Sequence, residues 1–280
     1  MGFGIAARYR RCKGFWRRHL ENSEAFQRKN IKKNRGDDCV AILGAGRGLD
    51  IDLNWLLENN YLVDFFDADP GCRAIWNRKL AALKAASQLA FHVQDLSGSL
   101  AAWTDSFGSY LKQNRAVDEE DIATALKDLR VAPFALPKHC STIVSLNLLS
   151  QIPIFWRDRV QALINTHTKH RVDDSGKLSA ELLEGIAASM QRLQEQHLEL
   201  LQDSNAERIL LLTDTAFYYY AATVPDWQKE QALYVDENFN LAGYEVLDTS
   251  EWFWDIAPLG IEAKDYGIVH TVKAVAFEKL

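Results

Sequence analysis

The feature that most constrains this sequence is the segment Cys39–Asp69, in which a glycine-rich turn separates two apolar runs. The first run, Val40–Leu43, has the length of a buried strand, and leucines at helical spacing follow the turn. Glycines occupy alternate positions of the turn: Gly44, Gly46 and Gly48. The second run, Tyr61–Phe66, is closed by the acid Asp67. This order predicts a strand, a tight turn, a helix and a second strand, which together make a β-α-β unit.

The residue types in this unit suit the binding of a nucleoside. A turn that passes under a nucleoside must bring its backbone into van der Waals contact, and glycine permits both that approach and a positive φ. A carboxylate at the end of the next strand, here Asp67, can accept hydrogen bonds from both hydroxyls of a ribose. Glycine-rich turns also occur in α/β proteins that bind no ligand. We expect nucleotide binding because the strand-final acid accompanies the turn.

The spacing of the glycines discriminates between cofactors. A dinucleotide fingerprint, G-x-G-x-x-G, would place its third glycine at position 49, where the chain has Leu49. The motif present, G-x-G-x-G, resembles the S-adenosylmethionine loop of the class I methyltransferases. The resemblance covers residues 38–278 in the order of predicted elements. A helix with Trp16 and His19, a DLSG turn and an NLLSQ strand end are similar to bacterial methyltransferase-like proteins of unassigned substrate.

This resemblance implies a set of contacts to S-adenosylmethionine. The turn under the cofactor would consist of Gly44, Ala45, Gly46 and Gly48. Asp67, with the neighbouring Ala68, would bind the ribose. Many class I enzymes also have an acid two residues before the first glycine, where this chain has Ile42. We therefore expect either Asp50 or Asp52 to hold the methionine end of the cofactor or the affinity for the cofactor to be low.

A second acid falls in the loop after the third predicted strand, Leu89–Val93. The resemblance implies that Asp95, with Leu96 beside it, binds the adenine amino group. A carboxylate suits this role because it accepts the hydrogen bond that the amine donates. Asp95 could also cap the helix that begins near Leu100.

Polar residues close the fourth predicted strand, Cys140–Gln151. Ligands of open α/β sheets bind at the carboxyl ends of strands, so Asn147 is a candidate for both cofactor binding and catalysis. Amino-group methyltransferases often have Asn/Asp-Pro-Pro-aromatic here, whereas this chain has Asn-Leu-Leu-Ser. The alternative is a buried Asn that satisfies loop backbone. Asp214, at the end of a fifth predicted strand, and His19, as a base, are the other catalytic candidates. His19 could equally be a packed anchor of its helix.

The elements predict an α/β, Rossmann-like sheet of seven mostly parallel strands with helices on both faces. An antiparallel pair at residues 243–254 and 267–278 would finish the sheet, and in the class I order strand seven lies between strands five and six. Residues 5–34 are expected to form two short helices. The predicted parts of the chain are a basic N-terminal extension, a methyltransferase-like domain and a helical insertion within it: 1–36, 37–280 and about 99–135.

Composition places limits on location and redox chemistry. Hydrophobic residues make up 48% of the chain, yet no apolar run approaches the roughly 20 residues that cross a bilayer, and the basic N-terminus lacks the apolar region of a signal peptide. We therefore expect a soluble, cytoplasmic protein. The four cysteines lie far apart, without a C-x-x-C pair or a histidine at ligand spacing: Cys12, Cys39, Cys72 and Cys140. The sequence predicts neither disulfides nor a metal site.

Charge is unevenly distributed. Residues 1–35 contain 11 Lys or Arg and 2 Glu, although the whole chain has a net charge of −6. A basic segment on an acidic protein favours an anionic substrate, a nucleic acid or a membrane surface as partner. The alternative is a helix with a solvated basic face and no partner.

Three functions follow from these observations. The first is an S-adenosylmethionine-dependent methyltransferase whose acceptor is a small molecule, a glycan or a nucleic acid. The second is a methyltransferase-like binding or scaffold protein without catalysis, which Ile42 and the missing proline motif favour. The third is a nicotinamide-dependent oxidoreductase, which Leu49 disfavours.

Overall fold

A computed structural model describes residues 2–32, 38–83, 88–169, 178–221 and 223–280. The strands are β1 Cys39–Leu43, β2 Leu62–Asp67, β3 Leu89–Val93, β4 Cys140–Leu146, β5 Arg208–Ala221, β6 Val224–Gln231, β7 Tyr244–Ala257 and β8 Gly267–Lys279. The helices are α1 Gly2–Asn30, α2 Leu53–Glu58, α3 Arg73–Leu83, α4 Leu100–Gln113, α5 Glu119–Lys127, α6 Leu148–His167 and α7 Ala180–Asp203.

The strands form one mixed sheet of order β3-β2-β1-β4-β5-β8-β7. The pairs from β3 to β5 are parallel, and β8 lies antiparallel between β5 and β7. The predicted Rossmann-like class is therefore confirmed. The last strand, β8, lies between β5 and β7, as predicted. Successive strands are added on one side of β1 up to β3 and on its other side from β4 onward, so the strand order switches between β1 and β4. Ligands of such a sheet bind at the carboxyl ends of the strands at this switch point.

The strand count differs from the seven predicted, because the described residues contain an eighth strand. β5 does not end near Asp214 but continues through the aromatic residues Phe217–Tyr220, and β6 pairs antiparallel with this extension. Aromatic residues favour strands, so the cluster extends β5 rather than forming a loop. Asp214 consequently lies inside a strand.

The N-terminal segment forms one helix, α1, where two short helices were predicted. Gly14, where an added Cβ would meet no atom of the rest of the protein within 4 Å, does not interrupt it. The helix packs against β7: the Trp16 indole donates a 3.0 Å hydrogen bond to the carbonyl oxygen of Ile256 and meets Trp254 edge-on at 4.9 Å. Residues 33–34 of the predicted segment lie outside the described residues. The division at residue 36 stays a prediction.

Helices cover the two faces of the sheet unequally. Side chains of α1, α2 and α3 share a core with Val40 and Ile42 of β1, and side chains of α6 and α7 pack on the opposite face. In the predicted insertion, α4 packs chiefly on α6 and α5 on α7, so these two helices form an outer layer. Among the described helices, none has the length and hydrophobicity that a bilayer-crossing segment needs.

The fourth strand is shorter than predicted. β4 ends at Leu146, and Asn147 adopts a left-handed conformation with φ 58° before α6 begins. Asn tolerates this conformation better than other non-glycine residues, so it ends the strand there. The predicted strand residues Leu148–Gln151 are the first turn of α6.

Candidate functional site

The glycine turn after β1 requires glycine at its first and last positions. Gly44 has φ 76°, and a Cβ there would lie 2.5 Å from the carbonyl oxygen of Leu146. Gly48 has φ 59°, and its Cβ would lie 2.9 Å from the ring of Trp76. The amides of Gly44 and Ala45 both donate to the carbonyl oxygen of Phe66, at 2.9 and 3.0 Å. The turn is thus fixed against the ends of β2 and β4.

Asp67, the predicted ribose acceptor, faces this turn, and ribose binding itself stays a prediction. Its Oδ2 accepts a 2.7 Å hydrogen bond from the Gly46 amide, and its Oδ1 accepts one of 2.8 Å from the Asp69 amide. Burial raises the pKa of Asp67, and the two amide hydrogen bonds oppose that rise. Each carboxylate oxygen has two acceptor positions, so both can accept a further donor. Ala68 is exposed beside it.

The turn is supported from below by α3, which the sequence analysis did not assign to the site. The Trp76 indole donates to the Gly46 carbonyl at 2.8 Å. The Lys79 ammonium donates to the carbonyls of Arg47 and Gly48, at 2.7 and 2.9 Å. Trp76 is fully buried, so it is both a core residue and a support of the turn. Periodicity identifies only the first of these roles.

The predicted adenine loop has local hydrogen bonds of its own. Asp95 Oδ1 accepts from the amide and hydroxyl of Ser97, at 2.9 and 2.5 Å. The residue that caps α4 is Ser99, so Asp95 stabilises the preceding turn rather than the helix end. Leu96 is buried in the core. Adenine binding by Asp95 and Leu96 stays a prediction.

The two acids proposed to replace the missing strand acid differ in their contacts. Asp52 caps α2 through the Trp55 amide and pairs with Arg28 at 2.5 Å. The carbonyl of Asp50 accepts a 2.8 Å hydrogen bond from Gln27 of α1. Burial, reinforced by Glu24, raises the pKa of Asp50 to about 6. Because the Asp52 side chain is already engaged as a helix cap and in an ion pair, Asp50 is the better candidate for the methionine end.

A second polar group lies where β4, β5 and β8 meet. Asp214 is 2% exposed; its Oδ2 lies 3.4 Å from the Ser150 hydroxyl, and its Oδ1 lies 3.2 Å from Nδ1 of His270. The backbone N–H of Asn147 donates to the Leu212 carbonyl at 2.7 Å. The side-chain Oδ1 of Asn147 is buried and has no hydrogen-bond partner among the described residues. The structure thus adds Ser150 and His270 to the predicted candidates. His270 lies on a strand far along the chain, and no motif in the sequence indicates it.

His19 is buried rather than open to an acceptor. It is 3% exposed, its Nδ1 accepts a 3.0 Å hydrogen bond from the Trp252 indole, and its ring stacks on Trp254 at 4.0 Å. Burial lowers the pKa of His19 to about 4, although Asp214 opposes the change. These contacts favour the packed-anchor alternative, and a catalytic role stays a prediction.

A basic cavity of about 570 Å³ opens between α1, the glycine turn and α3. Its lining residues are Ala6, Tyr9, Arg10, Arg47, Leu49, Ile75, Arg78 and Lys79. Four of these are cations, and no carboxylate is among them. Two other arginines of α1, Arg8 and Arg11, instead form ion pairs with Glu262, at 3.3 and 2.6 Å. Arg8 and Arg11 are thus held by Glu262, whereas Arg10 lines the open cationic cavity.

Comparisons with known proteins give only remote similarities. No protein-family model and no curated protein sequence matches the chain. Among solved structures, the glycopeptide N-methyltransferase MtfA complexed with S-adenosyl-L-methionine is 13% identical, with 93% of this chain and 87% of that chain covered and a TM-score of 0.39. The MccD protein is 10% identical, with 93% and 97% covered and a TM-score of 0.44. TehB from Haemophilus influenzae is 11% identical, with 93% and 62% covered and a TM-score of 0.42. These values are too low to transfer an activity or a substrate.

Proposed function

We propose that this protein is an S-adenosylmethionine-dependent methyltransferase. The observation that carries the proposal is the 2.7 Å hydrogen bond between the Gly46 amide and the carboxylate of Asp67, at the carboxyl ends of β1 and β2. This hydrogen bond connects the turn, whose backbone can approach a nucleoside closely, with the carboxylate that can accept hydrogen bonds from its ribose. The sheet order, with an antiparallel strand inserted next to the edge, resembles that of the class I enzymes.

The residues present fit this cofactor. Gly44 and Gly46 would lie under it, Asp67 would accept from the ribose hydroxyls, and Asp50 would face the methionine end. The buried Oδ1 of Asn147 is an acceptor without a donor among the described residues, and a buried unpaired acceptor is unfavourable. An ammonium group of a bound ligand would satisfy it.

When bound, S-adenosylmethionine supplies an electrophilic methyl group, so the protein has to orient the acceptor and take up a proton where one is released. We assign proton uptake to Asp214 and His270, whose facing atoms lie 3.2 Å apart. His19 is the weaker candidate because Trp252 already donates to its Nδ1 and its pKa is lowered to about 4. Ser150 would help to fix the Asp214 carboxylate.

We further propose that the acceptor is anionic. The basic cavity contains Arg47 of the glycine turn itself, together with Arg10, Arg78 and Lys79. Cations that line a cavity without a carboxylate among its lining residues favour a phosphate or carboxylate group. This proposal narrows the acceptor from any small molecule, glycan or nucleic acid to one that carries negative charge.

Calorimetric titration of the purified protein with S-adenosylmethionine, S-adenosylhomocysteine and NAD tests the cofactor. We expect submillimolar binding of the first two and none of NAD. Binding of NAD alone would favour the oxidoreductase and contradict the proposal. Binding of none of the three would favour the scaffold.

A further inference from the structure

A second cluster of reactive side chains lies at the opposite end of the sheet from the glycine turn. Ligand-type atoms of Cys39, Asp64, His139 and Cys140 all lie within 4.8 Å of one another. Nε2 of His139 is 3.1 Å from Oδ2 of Asp64, and Sγ of Cys39 is 4.0 Å from the same oxygen. The geometry points to a divalent transition-metal site, with zinc as the metal that suits it best.

The topology explains why residues so distant in sequence meet. β1 lies between β2 and β4, and the register pairs Cys39 with Cys140 at the starts of two parallel strands. Asp64 pairs with Ala41, two residues beyond Cys39 and therefore on the same face of the sheet. Ala41 is small, which leaves room in front of β1. His139 immediately precedes β4.

The donor set matches the preference of zinc. Two thiolates, one imidazole and one carboxylate are the ligand types of closed tetrahedral zinc sites, whereas calcium and magnesium prefer oxygen alone. Zinc bond lengths place tetrahedral ligand atoms about 3.3–3.8 Å apart, so the present separations need only small side-chain shifts. Binding would release the two thiol protons to solvent, and the divalent cation would offset two of the three negative charges of its ligands.

A neighbouring histidine orients the carboxylate. Nε2 of His92 lies 2.9 Å from Oδ1 of Asp64, and its ring stacks on Phe66 at 4.7 Å. Oδ1 is thereby occupied, and Oδ2 is left facing His139 and Cys39. Ligating carboxylates in metal sites are commonly held by hydrogen bonds of this kind.

The thiols of this cluster are buried and its imidazole is exposed, which permits a metal ion to enter from solvent. The thiols are buried, with Cys39 3% and Cys140 5% exposed. The side chain of His139 is 65% exposed and that of Asp64 19%. A metal ion could therefore reach the thiols from solvent past His139. Four protein ligands would leave no open coordination position, so the site would tie β1, β2 and β4 together rather than catalyse a reaction.

Cobalt titration of the reduced, chelator-treated full chain tests the site, because Co²⁺ reports thiolate ligation spectroscopically. We expect one equivalent to produce a thiolate-to-cobalt charge-transfer band and the visible bands of a tetrahedral ion. Cys140→Ser should weaken binding at least tenfold and reduce the charge-transfer intensity. Cys72→Ser, which changes another buried thiol, is the matched control and should leave the spectrum unchanged.

A second measurement covers the case in which Cys140→Ser does not fold. Because His139 is exposed, His139→Ala should fold, and zinc should raise the unfolding temperature of the wild type more than that of this variant. Absence of the charge-transfer band in the reduced wild type would overturn the proposal. So would a Cys39–Cys140 disulfide, found by thiol alkylation and mass spectrometry, in a protein that binds no cobalt after reduction.

Discussion

The Trp76 indole donates a 2.8 Å hydrogen bond to the carbonyl of Gly46, the residue whose own amide is bound by Asp67. The peptide groups on either side of Gly46 are therefore held from opposite directions, by α3 below and by the end of β2 in front. Lys79 extends the same support to the next two carbonyls. A loop held in this way is positioned before a ligand arrives, which reduces the ordering cost of binding.

Replacing Asp67 by alanine should weaken S-adenosylmethionine binding more than tenfold, which corresponds to more than about 1.4 kcal/mol. The variant removes the proposed acceptor of the ribose hydroxyls and frees the Gly46 amide. Calorimetry measures the change. Asp69→Ala is the matched control, because its Oδ1 caps the Gly71 amide rather than facing the turn. An unchanged affinity in Asp67→Ala, or an equal loss in both variants, would contradict the ribose assignment.

The part of the site made by β1 and β2 could be predicted because it is local. Glycine spacing, the length of the apolar runs and the strand-final Asp67 lie within about thirty residues, and each has a physical requirement that sequence expresses directly. The partnership of Asp214 with His270 could not be predicted, because it depends on the register of β5 against β8. Alternation within one strand says which residues share a face, not which residue of another strand they meet.

Two errors of the sequence analysis have the same origin. Local sequence predicts two short helices within residues 5–34, but the contacts of Trp16 with β7 favour one continuous helix. The fifth strand is predicted to end at Asp214, but β6 pairs with the aromatic residues beyond it and the strand continues. In both cases tertiary contacts decided between conformations that local propensity left open.

Gly48→Ala should destabilise the protein by about 2–4 kcal/mol, because the new methyl group would meet the Trp76 ring in a left-handed backbone conformation. Urea unfolding followed by circular dichroism measures the effect. The matched control is Gly14→Ala in the middle of α1. An added Cβ there would meet no atom of the rest of the protein within 4 Å, and φ is not positive. That variant should be stabilised by about 0.5–1 kcal/mol. Similar effects from both variants would show that the turn tolerates a side chain.

Arg78→Ala should weaken binding of anions in the basic cavity. Fluorescence anisotropy with a labelled single-stranded RNA, in competition with inorganic tripolyphosphate, would measure the effect on both probes. We expect at least a tenfold loss and a shallower dependence of affinity on salt, since one phosphate contact is removed. Arg159→Ala, an exposed arginine of α6 outside the cavity, should change neither. If RNA binds and tripolyphosphate does not compete, the cavity recognises the larger polyanion rather than an isolated phosphate chain. If neither binds the wild type, the anionic-acceptor proposal fails.

His197 should make the protein less stable as the pH falls from 6.5 to 4. Its Nε2 lies 2.8 Å from the Ser145 hydroxyl inside the core, and burial lowers its pKa from 6.5 to about 4. In this window the unfolded chain binds a proton that the folded protein excludes, so the free energy of unfolding decreases on acidification, by about 3 kcal/mol at pH 4. The glutamine in His197→Gln cannot be protonated. Between pH 7 and pH 4 the free energy of unfolding of this variant should therefore decrease by about 3 kcal/mol less than that of the wild type.

The difference between the wild type and His197→Gln isolates the effect of His197 from that of other titrating groups. Asp50, whose pKa is raised to about 6, acts with the opposite sign, because its contribution to stability decreases as the pH rises through that value. Its contribution is common to the wild type and the variant and cancels in the difference. His167→Gln, at the end of α6 and not buried, is the matched control and should follow the wild type. Equal losses in the wild type and His197→Gln would show that the buried imidazole accepts a proton without disturbing the core.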